Sequence, residues 1–254
     1  GADGHRTGGH MIGLHLHGDL WMGAARLIRD LALDMPAGQW SCLLGPSGVG
    51  KSTLARLIAG LPGPYRLAGA LAADDGLPLA GRVAMMAQDA QLLPWADLVH
   101  NVTIGARLRG TRPDLARAHA LLTEVGLAGR EACRPTELSG GQCQRVALAR
   151  TLMEDHPLVV MDEPFSALDT VTRLAMQDLA ARLLAGRTVI LITHDPLEAV
   201  RLSNRAWLLS PQEADALDLP DTPTPRDWRA QGTLAAQAAL LTRLHRPEDR
   251  RCTG

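Results

Sequence analysis

Nine residues constrain this chain more than any others. Residues 45–53 read GPSGVGKST, which fits G-x-x-x-x-G-K-[ST], and the apolar run WSCLL (40–44) leads directly into them. A buried strand must therefore feed a glycine-rich turn that opens into a helix, STLARLIAGL (52–61), with apolar residues at helical spacing. Gly45, Gly48 and Gly50 let the backbone take positive φ and bring its N–H groups against a ligand with no Cβ in the way. Successive N–H groups of this kind form an anion nest, to which the helix start adds positive dipole. Lys51 is the single lysine among 26 basic residues; every other one is arginine. A group that must reach phosphate oxygens needs a compact charge on a flexible stem, and a planar guanidinium does not replace it. The stretch therefore points to a nucleoside triphosphate. Gly45, Pro46, Ser47, Gly48, Val49, Gly50, Lys51, Ser52 and Thr53 form its binding segment, with Ser52 as a Mg²⁺ ligand.

Length and composition narrow the remaining choices. A chain of 254 residues suits one large domain, or a domain with a subdomain, and can bury a substantial core. A net charge of −1 offers no basic excess for a nucleic-acid partner. No uninterrupted apolar run approaches the length of a membrane-spanning helix. The polar GADGHRTGGH at residues 1–10 is expected to be a disordered leader or a tag remnant. Cys42, Cys133, Cys143 and Cys252 lie far apart without a C-x-x-C pair, so reduced thiols are expected. His15 and His17 share one face of a strand, which reads as an exposed strand face rather than a metal site.

Further short apolar runs, RVAMMA (82–87), PLVVM (157–161) and TVILIT (188–193), are each followed by polar residues. This is the pattern of a parallel sheet buried between helices, whose ligands gather beyond the carboxyl ends of the strands. Gly45–Ser52, Gln88, Asp162–Glu163 and His194 should thus converge on one crevice, although they span about 150 residues of sequence. Between them, DLARAHALLTEVGLAG (114–129) and SGGQCQRVALARTLME (139–154) are helical in pattern, with Ser139 as an N-cap. A helical subdomain inserted at about 89–156 accounts for them. The main unit then covers 11–212. After Ser210 comes the acidic, proline-bearing PQEADALDLPDTPTP (211–225), which leads into an extension at 213–254 with a helix, WRAQGTLAAQAALLTRL (228–244).

Asp162 ends an apolar run, as a carboxylate that holds Mg²⁺ through water should, and Glu163 is placed to orient or deprotonate an attacking water. LSGGQCQRVALAR (138–150) is the next most specific stretch, and with it the sequence resembles the ATP-binding-cassette family. Leu138-Ser139-Gly140-Gly141-Gln142 matches that family's signature, Gln88 its Q-loop, Asp162-Glu163 its Walker B pair, Ser166-Ala167-Leu168-Asp169 its D-loop and His194 its switch histidine. The resemblance covers roughly residues 12–210. It implies a P-loop NTPase α/β fold, with a mostly parallel core sheet, an antiparallel β-subdomain and the inserted helices. It also implies a head-to-tail dimer in which Ser139, Gly140 and Gly141 close over the γ-phosphate held by the other subunit. In that scheme Glu163 is the general base or water-orienting group and His194 contacts the γ-phosphate. Gln88 senses Mg²⁺ and water, and Asp169 reaches across the dimer.

The family usually stacks an aromatic on adenine. Counting back from the P-loop reaches Met22, with Trp21 beside it, and Trp21 is the expected contact. A single cassette, the stretch QLLPWADLVHNV after Gln88 and the tail TPRDW resemble ATPases of nitrate, sulfonate, taurine and thiamine-precursor importers. Such an ATPase sits at the cytoplasmic membrane face and serves a separate permease and, indirectly, an extracytoplasmic binding protein. Leu93, Pro94 and Trp95 are then candidates for the groove that receives the permease. Overall similarity leans toward the hydroxymethylpyrimidine (thiamine-precursor) branch. The alternatives are an exporter-type ATPase and, behind it, a cassette acting on nucleic acid.

Overall fold

The computed structural model describes residues 11–245; the segment 1–10 and Cys252 lie outside the described residues. Two strands, Leu14–Met22 (β1) and Ala25–Met35 (β2), open the chain as an antiparallel pair. Leu14, Leu16 and Leu20 are buried while His15 and His17 face outward, and His15 meets the exposed Asp34 across the pair at 2.8 Å. Trp40–Leu44 (β3) is buried at every position and runs into the glycine-rich turn and the helix Lys51–Ile58 (α1). Tyr65–Ala73 (β4) then returns to β1, so the first sheet has the order β2-β1-β4.

A strand with no polar face has to lie inside a sheet covered on both sides. That requirement builds the second sheet. Its further strands are Val83–Met86 (β5), Leu158–Asp162 (β6), Thr188–Thr193 (β7), Arg205–Leu209 (β8) and Ala214–Leu217 (β9), ordered β5-β6-β7-β3-β8-β9. All neighbours are parallel except β8 and β9. Alternate residues of β7 feed opposite layers. Val189 and Leu191 pack with Phe165 and Val146, and Ile190 and Ile192 pack with Leu54 and Ile58.

Between β5 and β6 the chain is helical: Leu98–Val102 (α2), Ile104–Leu108 (α3), Leu115–Glu124 (α4) and Gly140–Met153 (α5). The pattern at 114–129 contracts to α4. Asp114 caps its start by accepting from the Arg117 N–H, and Gly126 turns left-handed just beyond its end. Thr170–Leu183 (α6), Pro196–Leu202 (α7) and Gln231–Leu244 (α8) complete the fold.

Thr188 joins the two sheets. It is fully buried, its Oγ1 donates to the Ile12 carbonyl at 2.7 Å, and it accepts from the Gly38 N–H at 2.8 Å. Thr188→Val keeps the shape and strands both backbone groups. Thermal unfolding should show a loss of about 1–3 kcal/mol, and an unchanged melting temperature would show that the joint bears no load.

Candidate active site

The glycine turn is fixed by close approach as well as by dihedrals. A Cβ on Gly45 would lie 2.8 Å from the Leu209 carbonyl, while Gly48 and Gly50 adopt φ of +83° and +116°. Lys51, 5% exposed, donates from Nζ to the Gly45 and Pro46 carbonyls, both at 2.8 Å. Burial draws its pKa down, and the Glu163 and Asp162 carboxylates oppose that shift.

Asp162 ends β6 at 7% exposure, and Ser52 Oγ donates to its Oδ1 at 3.1 Å. Burial pushes the Asp162 carboxyl upward against the pull of the Ser52 hydroxyl. Glu163 follows with φ of +47°, rare for a residue bearing a Cβ. Its N–H donates to the Ile192 carbonyl at 2.8 Å and its carbonyl accepts from Ser166 Oγ at 3.0 Å, so both sides of the strained residue are held. One carboxylate oxygen lies 3.1 Å from His194 Nδ1 and the other 4.0 Å from Lys51 Nζ. Gln88 Nε2 donates to Ser166 Oγ at 3.3 Å. Ser47, Lys51, Ser52, Thr53, Gln88 and Glu163 line a cavity of about 460 Å³; Asp162 and His194 stand behind its wall, against Ser52 and Glu163.

Ser139, Gly140, Gly141, Gln142 and Asp169 do not line this cavity. Ser139 caps α5: its Oγ accepts from the Gln142 N–H at 3.3 Å, and its own N–H donates to Gln142 Oε1 at 3.0 Å. Asp169 caps α6 by accepting from Val171 and Thr172, both at 3.1 Å. The two turns abut, since a Cβ on Gly141 would come within 2.6 Å of Thr172 Cγ2.

Trp21 requires a correction. Met22 and Leu27 line the cavity, and Trp21 does not. Successive strand residues face opposite sides, and the Trp21 ring carries the Arg66 guanidinium at 4.7 Å and that of Arg26 at 5.7 Å. Its Nε1 is buried without a hydrogen-bond partner among the described residues.

Sequence reasoning missed the residues that hold these loops. Gln144 Nε2 donates to the Gln88 carbonyl at 2.8 Å, and Arg150 donates to the Gln91 and Ala90 carbonyls at 2.9 and 2.7 Å. Arg173 bridges Asp195 Oδ2 and the Leu168 carbonyl at 3.1 and 3.0 Å. The family of ABC transporters matches residues 28–166. The chain belongs to the ABC transporter family. Its fold is that of the cassette, and it is an ATPase.

Similar ABC proteins include an aliphatic sulfonates import ATP-binding protein of Rhodococcus jostii, 48% identical over 188 residues, covering 73% of this chain and 74% of the relative. The counterpart in Mesorhizobium japonicum is 46% identical over 209 residues, with 81% and 80% covered. An uncharacterized ABC transporter ATP-binding protein of Haemophilus influenzae is 41% identical over 225 residues, with 86% and 92% covered.

Glu198, buried on α7, takes a hydrogen bond from Thr193 Oγ1 at 2.6 Å. Burial lifts its pKa from 4.5 to about 7, despite the Thr193 hydroxyl pulling the other way. A carboxyl raised on folding stabilises below its unfolded pKa, and that contribution is lost as pH rises from about 4.5 through about 7. Glu198→Gln keeps the acceptor and removes the titration. Its melting temperature relative to wild type should therefore climb across this window and level off above it. Parallel pH curves for the two proteins would refute the assignment.

Proposed function

We propose that this cassette is the ATP-hydrolysing motor of an importer for a small organic anion of the aliphatic sulfonate class, acting with a separate membrane permease. The observation that carries the reading is one cavity lined by Lys51, Ser52 and Glu163, with Asp162 held by Ser52 and His194 beside Glu163, in a chain whose named relatives are import ATP-binding proteins. Those names also favour sulfonates over the hydroxymethylpyrimidine branch, and import over export.

The residues suit Mg²⁺ and ATP. Asp162 is a buried carboxylate that accepts from one hydroxyl among the described residues, a site where a cation offsets the cost of burying charge. Ser52 and Asp162 would hold Mg²⁺ directly and through water, and the ion would neutralise charge on the phosphates. Lys51 exchanges the Gly45 and Pro46 carbonyls for phosphate oxygens. Glu163 takes the proton from, or orients, the attacking water, and His194 faces the γ-phosphate beside it. Gln88 reports on Mg²⁺ and the water. Met22 and Leu27 offer the base an aliphatic wall in place of an aromatic ring.

Ser139, Gly140, Gly141, Gln142 and Asp169 serve the second copy in a head-to-tail ATP sandwich. The exposure of Val171, 78%, at the first turn of α6 supports an interface there. The permease docks at Leu93, Pro94 and Trp95. Trp95 is 70% exposed and, with Asp97, His100 and Arg134, lines a concavity of about 330 Å³. Among the described residues no helix is long and apolar enough to cross a membrane, in keeping with a peripheral subunit at the cytoplasmic face. An extracytoplasmic binding protein would deliver the cargo.

Glu163→Gln should cut turnover by about 10²–10³ while leaving ATP binding intact. With ATP and Mg²⁺ the variant should elute as a dimer on size exclusion, and a strictly monomeric elution at saturating ATP would sink the sandwich. The importer is tested by tagging the chain in its host and identifying by mass spectrometry what copurifies from gently solubilised membranes. A polytopic permease and a binding protein that takes alkanesulfonates in preference to pyrimidines and nitrate is the expected result. Recovery of ribosomal or DNA-bound material without a membrane protein would overturn it.

A further inference from the structure

The stretch TPRDW lies in the C-terminal extension, and nothing in nucleotide chemistry calls for it. Arg226 within it is 5% exposed. Its Nη1 donates to the carbonyls of Val200 and Ser203 at 2.5 and 2.8 Å, Nε donates to the Pro220 carbonyl at 3.1 Å, and Nη2 donates to the same carbonyl. Its backbone N–H donates to the Arg201 carbonyl at 2.8 Å. Burial lowers its pKa, with Asp221 opposing. A buried cation paired with carbonyls in place of a carboxylate is costly to keep. What it obtains here is the end of one helix, because Val200, Arg201 and Ser203 are the last residues of α7 and its C-cap, whose carbonyls would otherwise lack partners.

The other end of α7 is held as firmly. Asp195 caps it by accepting from the Leu197 N–H at 2.8 Å. Its own N–H donates to Thr193 Oγ1 at 3.0 Å, and Arg173 donates to its second oxygen at 3.1 Å. Thr193 and Asp195 flank His194 in sequence. Along its length α7 is tied down again, by Glu198 to Thr193 and by Arg201 to Gln177 at 2.8 Å and Asp178 at 2.5 Å. A seven-residue helix is about 10 Å long and moves as a rigid rod. A displacement at its C-terminal end is therefore delivered to Asp195 and to the imidazole that faces Glu163 at 3.1 Å.

We infer that Arg226 is a positioning residue for His194: the C-terminal extension, through this guanidinium, sets α7 and with it the distance from the imidazole to Glu163. The inference rests on the reading of His194 as the γ-phosphate contact. Leu240 of α8, packed with Ala199 and Val200, holds the extension against the same helix. The extension is then part of the hydrolytic apparatus, and any event that lifts it off α7 slows hydrolysis without evicting ATP.

Steady-state ATPase kinetics on the full chain test this with Arg226→Gln, Arg226→Lys, His194→Ala and the double variant His194→Ala/Arg226→Gln. Arg226→Gln should lower kcat about tenfold with KM for ATP unchanged, as expected for a misplaced rather than a lost group. Arg226→Lys, with one charged donor at the same carbonyls, should recover part of the loss and gives the same reading if the glutamine variant does not fold. In the His194→Ala background Arg226→Gln should cost nothing further, because both changes act on one group. Leu33→Ala, a cavity under the antiparallel sheet in a core that holds no residue of α7, should lower the melting temperature while the folded fraction keeps its kcat. An additive loss in the double variant, an equal kcat loss in Leu33→Ala, or unchanged kcat in both Arg226 variants would overturn the inference. Wild-type turnover in His194→Ala would instead overturn the site reading on which it rests.

Discussion

A buried carboxylate, a partly buried one and a buried ammonium gather at the carboxyl ends of strands that carry almost no polar side chains. Lys51 lies 4.0 Å from Glu163, and Asp162 adjoins Ser52, within a sheet whose central strands are apolar at nearly every position. Burial works against each of the charges at Lys51 and Asp162, pulling the first pKa down and the second up. The cluster persists because the loop carbonyls of Gly45 and Pro46, the Ser52 hydroxyl and the opposite charges share the cost. Phosphates and a divalent cation would fit the same positions. Charge displaced from water here is thus arranged in advance for the charges of the substrate.

Glu163 shows what the scaffold must hold to keep that arrangement. A side chain at φ of +47° relaxes unless its neighbours prevent it. The Ile192 carbonyl belongs to the strand that ends beside His194, and Ser166, which holds the Glu163 carbonyl, also accepts from Gln88. The carboxylate, the imidazole and the glutamine are therefore positioned by one small hydrogen-bonded group, and movement of any one bears on the other two.

Much of this was legible in the sequence. Runs such as TVILIT are unambiguous because every residue is buried, and the residues just beyond them had to gather at one edge. Strand β8 and helix α7 escaped notice: RAWLL begins with an exposed arginine, and PLEAVRL buries a glutamate and an arginine that read as surface residues. Counting back from the P-loop reached Met22, which does line the cavity; Trp21 was preferred for its ring, but adjacent strand residues face opposite sides, and the ring lies against Arg66 and Arg26. Arg150 and Gln144 were invisible for a different reason. Their partners are backbone carbonyls, which leave no signature in the sequence.

Those two residues bear on how the helical layer communicates with the nucleotide. Helix α5 begins at Ser139 and Gly140, the signature turn, and further along its length it grips the backbone at Gln88, Ala90 and Gln91. A rigid helix joins these points, so the signature turn and the strand-end glutamine cannot move independently. Leu93, Pro94 and Trp95 follow within a few residues, and Asn101 secures them by accepting from the Leu93 N–H at 2.7 Å and donating to its carbonyl at 3.2 Å. Pressure on the exposed Trp95 side would therefore reach Gln88 along the chain and the signature turn through α5. In the proposed head-to-tail dimer, closing the turn at Ser139 over the other copy's nucleotide would push back along the same route. Coupling of this kind is reciprocal by thermodynamic necessity, and here it needs nothing more than one fourteen-residue helix and three hydrogen bonds to a loop.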